Sequence, residues 1–233
     1  MIKYVAATAA VVAGLSGCGG SETSDVTETQ TSTASPSEDN SSATTEQGTI
    51  IQSGFGQQDQ YAWVMALVQN NADHAGQTVI VNFNLKDDTG KLVGSGSQTA
   101  AFNWPDQKLP VATQVDLGSH VKATSVEATV LVKDDGTFED QVTDSWGGPI
   151  KGDIYKSEYG SWGAKFTVKN PTSDPLTSPQ FEVICHGPGG KIVGGGESYP
   201  DLIPPSGETL VNLDSLYTDH QPHDCDGYLH PWM

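Results

Sequence analysis

Cysteine and histidine side chains are concentrated near the C-terminus, where their spacing is compatible with two different chemistries. Cys185 and Cys225 lie about 40 residues apart. In an exported protein two such thiols usually form a disulfide, which is our prediction. The alternative is a zinc or copper(I) site, because thiolate and imidazole ligands together suit both metals. His186, His220 and His223 would supply the imidazoles, but oxidation would remove both thiolates, so we predict no resident cofactor.

A third cysteine, Cys18, follows a short apolar segment at the N-terminus. Lys3 precedes an apolar run of about 11 residues, which is typical of an export signal and shorter than the roughly 20 residues that span a bilayer. The segment Leu-Ser-Gly-Cys at residues 15–18 resembles the lipobox of bacterial lipoproteins, which are cleaved before the cysteine. The resemblance implies a signal peptide at residues 1–17, a lipid that includes palmitate on Cys18, and attachment to the extracytoplasmic face of a cell membrane. Stable anchoring requires at least two acyl chains.

The composition of the whole chain excludes some partners, and the composition of residues 18–48 predicts a tether. The formal net charge is −18 and the chain has no arginine, so nucleic-acid binding is not expected. Residues 18–48 are rich in Ser, Thr and acidic side chains and have no basic or aromatic residue. Such a segment cannot bury enough apolar surface to offset the entropy cost of ordering, so we predict a disordered tether.

From residue 49 onward, short apolar runs are separated by Gly, Pro, Asn and Asp, a pattern that predicts β-strands. Residues 79–85 alternate, with Val79, Val81, Phe83 and Leu85 on one face. The pattern recurs 100 residues later, where Asn70 matches Asn170 and the Gly-Lys pair at 90–91 matches that at 190–191. We therefore predict an all-β protein of two tandem immunoglobulin-like β-sandwich domains. Their bounds are 49–137 and 150–233, joined by a linker at 138–149.

The first copy resembles the FxLYD domain of bacterial lipoproteins and exported proteins. Residues 83–87 read Phe-Asn-Leu-Lys-Asp, which is F-x-L-x-D with Lys86 in place of the tyrosine. The preceding Asn70, the turn at residues 90–91 and the later Pro110 also fit. The second copy departs from the motif at residues 185–187. The resemblance implies a small immunoglobulin-like sandwich outside the cytoplasm and supplies no catalytic residues.

Five tryptophans are many for two small sandwiches. Trp63 and Phe166 occur in strand-like segments and are expected in the cores. Trp104 and Trp146 occur in loop-like segments, where an exposed indole could bind a protein or a glycan. The alternative for both is packing against the adjoining domain.

These observations predict a membrane-anchored lipoprotein that acts as a non-catalytic binding or structural module of the cell envelope, with an envelope protein or a glycan as its ligand. No nucleophile elbow or other catalytic motif is present, so we expect no enzyme. Two alternatives remain, which are a metal-handling lipoprotein that uses the C-terminal Cys/His group and a hydrolase whose carboxylates are scattered along the sequence.

Overall fold

The computed structural model describes residues 47–158 and 160–231. Cys18, the signal peptide, most of the tether and Trp232 lie outside the described residues. The first half of the described chain forms six strands: β1 (Gly48–Gln58), β2 (Tyr61–Asn70), β3 (Thr78–Lys86), β4 (Leu92–Ala101), β5 (Lys108–Asp116) and β6 (Ser125–Lys133). A short 3-10 turn, Glu139–Gln141, follows. The second half forms ten strands: β7 (Ile150–Lys151), β8 (Asp153–Lys156), β9 (Trp162–Lys169), β10 (Leu176–Thr177), β11 (Gln180–His186), β12 (Ile192–Ser198), β13 (Leu202–Ile203), β14 (Glu208–Leu213), β15 (Tyr217–Thr218) and β16 (Asp224–His230).

Each half is a sandwich of two antiparallel sheets, which confirms the predicted fold class. The first sandwich pairs sheet β1-β2-β5 with sheet β4-β3-β6, and the second pairs β14-β9-β8 with β15-β12-β11-β16-β7. Strands β10 and β13 form a small additional pair. In the first sandwich, β1, β2 and β5 form one sheet, and β3, β4 and β6 form the sheet that faces it. This is an immunoglobulin-like order. Among the described residues no helix is both long and apolar enough to cross a bilayer.

Alternation along β3 places its apolar side chains in the first core, as the sequence predicts. Val79, Val81, Phe83 and Leu85 are all fully buried. After Leu85 the register with β4 shifts by one residue, and the same shift follows Cys185 in the second sandwich. The hairpin turn after β3 is closed by Asp87, whose carboxylate accepts hydrogen bonds from the N–H groups of Thr89 and Lys91. The repeat seen in the sequence is therefore also a repeat of backbone geometry.

A buried asparagine ends the second strand of each sandwich. The Asn70 side chain donates to the carbonyls of His74 and Trp104 and accepts from the N–H of Ala72. Asn170 makes the equivalent bonds to Asp174, Pro204 and Thr172, with two further hydrogen bonds. Because each side chain satisfies backbone groups of two loops, it fixes the loop positions beside the strand end.

The two sandwiches pack face to face, so that four sheets enclose three apolar layers. The middle layer joins sheet β1-β2-β5 to sheet β15-β12-β11-β16-β7. Its buried members are Trp63, Met65, Ala112, Ile184 and Ile192. The Trp63 ring stacks on Tyr217, with centroids 5.6 Å apart.

Phe166 and Trp63, both expected in the cores, occupy different layers. Phe166 lies in the core of the second sandwich, as expected. Trp63 is buried but lies between the sandwiches rather than in the first core. On β2 the even-numbered residues 62–68 face the first core, and the odd-numbered side chains face the second sandwich. Both faces of this strand are therefore covered.

Candidate binding groove

The edge of the interface between the sandwiches carries two grooves, each of about 400 Å³. The first groove is lined by the β4–β5 loop, by residues 145–149 and by the end of β16. Residues 145–149 belong to the segment between β6 and β7 that connects the two sandwiches, which we call the connecting segment. The second groove is lined by residues of β2, β4, β5, β11 and β12 and by Tyr199 just after β12. A small recess between them shares Pro110 and His230 with the first groove, and Gln98 and Gln180 with the second. We call this continuous depression the seam.

Trp104 and Trp146 hold the connecting segment against both sandwiches. Trp104 is 8% exposed, and its ring centroid lies 6.5 Å from that of Trp146. Trp146 is half-buried and packs on the core of the second sandwich. Of the two predicted binding residues, Trp104 lines the first groove, whereas Trp146 contacts the Trp104 ring and is not among the residues that line the groove. The two indoles therefore pack mainly against protein, the alternative that the sequence left open.

Hydrogen bonds also hold the β4–β5 loop and residues 143–147, the segments that carry these indoles. The Asn103 carbonyl accepts from the N–H of Thr143, and its own N–H donates to the Gln107 side chain. Gly147 has a φ of +95° and donates its N–H to the Ser145 hydroxyl. A side chain on residue 147 would meet no atom within 4 Å, so the wall of the first groove is open to solvent here.

A buried acid–imidazole pair lies in the recess between the grooves. Glu182 and His230 are 2% and 5% exposed, and Glu182 Oε2 lies 3.8 Å from His230 Nε2. The Gln180 side chain donates to the same carboxylate oxygen at 3.3 Å. Within the described chain, Glu182 Oε1 and His230 Nε2 have no hydrogen-bond partner. Burial raises the pKa of Glu182 above its usual range, because desolvation disfavours the ionised form.

The second groove is lined by polar side chains and two aromatic rings. The polar side chains belong to Gln98, Thr113, Gln114, Gln180 and Glu197, and the rings belong to Trp63 and Tyr199. The Tyr199 hydroxyl donates to Glu197 at 2.7 Å, and burial raises its pKa well above the ordinary value. The Trp63 indole N–H is buried without a hydrogen-bond acceptor in the described chain. Amides, carboxylates and hydroxyls beside an aromatic residue can bind a ligand that has many hydroxyl or amide groups.

Sequence reasoning missed this groove and the acid–imidazole pair. Glu182 and His230 project from the outward face of β11 and β16, where polar residues such as Gln180, Glu182 and Asp226 predict exposure. The β1-β2-β5 sheet covers that face instead. No local signal distinguishes Glu182 from an ordinary solvated glutamate.

The predicted disulfide is confirmed. Cys185 and Cys225 are opposite each other on β11 and β16 and are bonded, with their Cα atoms 4.1 Å apart. The bond indicates an extracytoplasmic location, since reducing compartments keep such thiols free. It also removes both thiolates from the alternative metal site.

The three histidines of that alternative are placed differently from one another. His186 Nδ1 lies 3.3 Å from Asp224, and His223 Nδ1 lies 3.0 Å from the same carboxylate. His220 is exposed and takes no part in the metal-compatible cluster found among residues 47–158 and 160–231, which consists of His186, Asp224 and Asp226. Of the alternative Cys/His ligand set, this cluster contains His186 alone, together with two carboxylates.

No protein-family model and no curated protein matches this chain. Among solved structures it is similar to red sea bream transglutaminase, with 12% identity and a TM-score of 0.26 over 78% of this chain. The match spans 29% of that protein's chain.

This match requires one correction. We expected no enzyme from the sequence, yet the matched structure is that of an enzyme, and the prediction of a non-catalytic protein is withdrawn as wrong. A TM-score of 0.26 assigns no activity to this chain.

Proposed function

We propose that this protein is a lipid-anchored, extracytoplasmic binding protein of a bacterial cell envelope, and that it binds a neutral glycan segment along the seam. The observation that carries the proposal is the second groove, where polar side chains from several strands surround Trp63. The anchor is the lipid expected on Cys18, and the FxLYD-like resemblance of the first sandwich belongs to the same proposal.

Charge favours a neutral ligand over an anionic one. The whole chain carries a formal charge of −18, which repels anions at long range. Glu197 lies in the second groove, and no lysine is among the residues that line that groove; Lys108 lines the first groove, beside Asp106. A glycan without acidic groups suits this surface because its hydroxyls can both donate and accept hydrogen bonds.

The binding proposal can be tested by substituting two glutamines of the second groove. Gln114 and Gln180 line it from β5 and β11, one from each sandwich. We expect the double change Gln114→Ala and Gln180→Ala to weaken binding of neutral envelope oligosaccharides at least tenfold, since two or more hydrogen bonds would be lost at about 1 kcal/mol each. Isothermal titration calorimetry after a glycan-array screen measures this effect.

The matched control is Asn82→Ala on β3, an exposed side chain on the opposite side of the first sandwich. It should leave affinity unchanged. Equal affinity of the double variant and the parent would show that the seam is not the site. Absence of binding to any neutral glycan on the array would refute the ligand class.

The anchor is tested separately by intact mass spectrometry of the protein purified from its own membranes. A lipid-sized increment on a chain that begins at Cys18 is expected. An unmodified Cys18 would refute the anchor and leave the groove proposal standing.

A further inference from the structure

One end of strands β11 and β16 carries an imidazole and two carboxylates on the same face. His186 is opposite Asp224 in the antiparallel pairing, and Ile184 is opposite Asp226. Since side chains alternate along a strand, Asp224 and Asp226 point to the same side as His186. This is the face turned toward the first sandwich, at the end of the sheet away from Glu182.

The distances within this cluster match those between ligands of one small cation. His186 Nδ1 lies 3.3 Å from Asp224 Oδ1 and 3.8 Å from Asp226 Oδ2, and all three ligand atoms lie within 4.8 Å of one another. Zinc binds nitrogen and oxygen ligands at about 2.0–2.2 Å in a tetrahedron, which separates the ligands by about 3.4 Å. Small side-chain rotations would bring all three atoms to that spacing.

The disulfide fixes the backbone at the cluster. Cys185 precedes His186, and Cys225 lies between Asp224 and Asp226. The bond therefore connects the two strands at the residues next to all three ligands. A site whose ligands are held in place before the metal arrives loses less entropy on binding.

Asp226 is a buried carboxylate with one oxygen turned toward the imidazole. It is 8% exposed, and its Oδ2 lies 3.8 Å from His186 Nδ1. Its charge is balanced by the Lys151 ammonium 2.7 Å away, whose side chain is 69% exposed. Lys151 can move into solvent when a cation takes its place, so the carboxylate remains available as a ligand.

The first sandwich shows what the same positions hold without such a cluster. The N–H of Thr124 donates to the Lys86 carbonyl, just as the N–H of His223 donates to that of His186. Lys86 is opposite Ser125 on β6, and its ammonium pairs with Glu127. Lys86, Thr124, Ser125 and Glu127 are thus replaced in the second sandwich by His186, His223, Asp224 and Asp226. Three of these four replacements introduce a metal-ligating side chain, and the fourth keeps a carboxylate.

We propose that His186, Asp224 and Asp226 form a zinc site of the second sandwich, independent of the glycan groove. His223, 3.0 Å from Asp224, orients that carboxylate from outside the ligand set. Water completes the coordination, because Asp224 is partly exposed.

The test is calorimetric titration of zinc into the chelator-treated, oxidised protein, with a thiol assay to show that the disulfide is intact. One zinc per chain is expected for the parent. His186→Gln and Asp226→Asn should each weaken binding at least tenfold, and His223→Gln should have a smaller effect. Circular dichroism verifies that each variant is folded.

Two changes serve as controls. Glu127→Gln alters the equivalent position of the first sandwich, and His220→Ala removes the histidine that lies outside the cluster. Neither should change zinc affinity. The proposal is overturned if the parent binds no zinc at 100-fold excess over protein, or if His186→Gln and Asp226→Asn bind it as tightly as the parent.

Discussion

The two sandwiches share one backbone plan but meet each other through different sheets. The first presents the outer face of β1-β2-β5, and the second presents the outer face of β15-β12-β11-β16-β7. Equivalent strands therefore have opposite surroundings. Asn82 and Asn84 on β3 are exposed, whereas Glu182 and Ile184 on β11 are buried. A repeat joined in this asymmetric way lets one copy keep an ordinary hydrated face while the other develops a buried polar one.

We expect the disulfide to cause the largest difference in stability between the two sandwiches. Leu85 is opposite Val126 where Cys185 is opposite Cys225. Replacing the second pair with the first, by Cys185→Leu and Cys225→Val, should lower the free energy of unfolding by about 4 kcal/mol, because the crosslink closes a loop of 40 residues. Urea unfolding followed by tryptophan fluorescence measures this loss. The prediction fails if reductant leaves the unfolding midpoint of the parent unchanged.

The two asparagines should differ less. Asn70→Ala removes three hydrogen bonds of a buried side chain, and Asn170→Ala removes five. Unpaired buried donors and carbonyls cost about 1–3 kcal/mol. We expect losses of about 2 kcal/mol for Asn70→Ala and about 3 kcal/mol for Asn170→Ala in the same unfolding experiment. The opposite order would show that the loops of the first sandwich depend more on their asparagine.

The ionisation of Glu182 should make the stability of the second sandwich depend on pH. Burial raises its pKa above the ordinary value of 4.5, so its contribution to stability is complete below that value and is lost as the pH rises through the folded-state pKa. Glu182→Gln should therefore stabilise the protein by about 1 kcal/mol at pH 8, the low end of the cost of a poorly compensated buried polar group. The gain should vanish near pH 4.5.

Asn82→Glu provides the matched control for this pH effect, since it places a glutamate at the equivalent, exposed position of the first sandwich. Unfolding midpoints from pH 4.5 to 8 should show no loss of stability at high pH from this change. A gain for Glu182→Gln that is equal at both ends of the range would contradict the burial argument.

The smallest effect is expected at the ion pair of the first sandwich. The side chains of Lys86 and Glu127 are 29% and 63% exposed, so water and salt screen their attraction. Lys86→Met should cost less than about 1 kcal/mol, and 1 M salt should remove most of the difference. A larger, salt-insensitive loss would mean that the lysine stem, rather than its charge, supports the sheet.

The sequence by itself determined the class of fold and much of each core. Period-two alternation identifies which β3 residues face inward, because strand geometry imposes it locally. Repeated Asn, Gly and Lys positions reveal the duplication, and two cysteines in an exported chain predict their bond. These signals lie within a few residues of one another or rest on residue type alone.

Only the tertiary structure decided which outward faces meet. Trp63 and Ile184 are far apart in sequence, and nothing near either residue indicates that they share an apolar layer. The same packing buries Glu182 beside His230 and forms the grooves. Outward polar residues look alike in sequence whether water or a second sheet covers them, because their surroundings are set by contacts between distant strands.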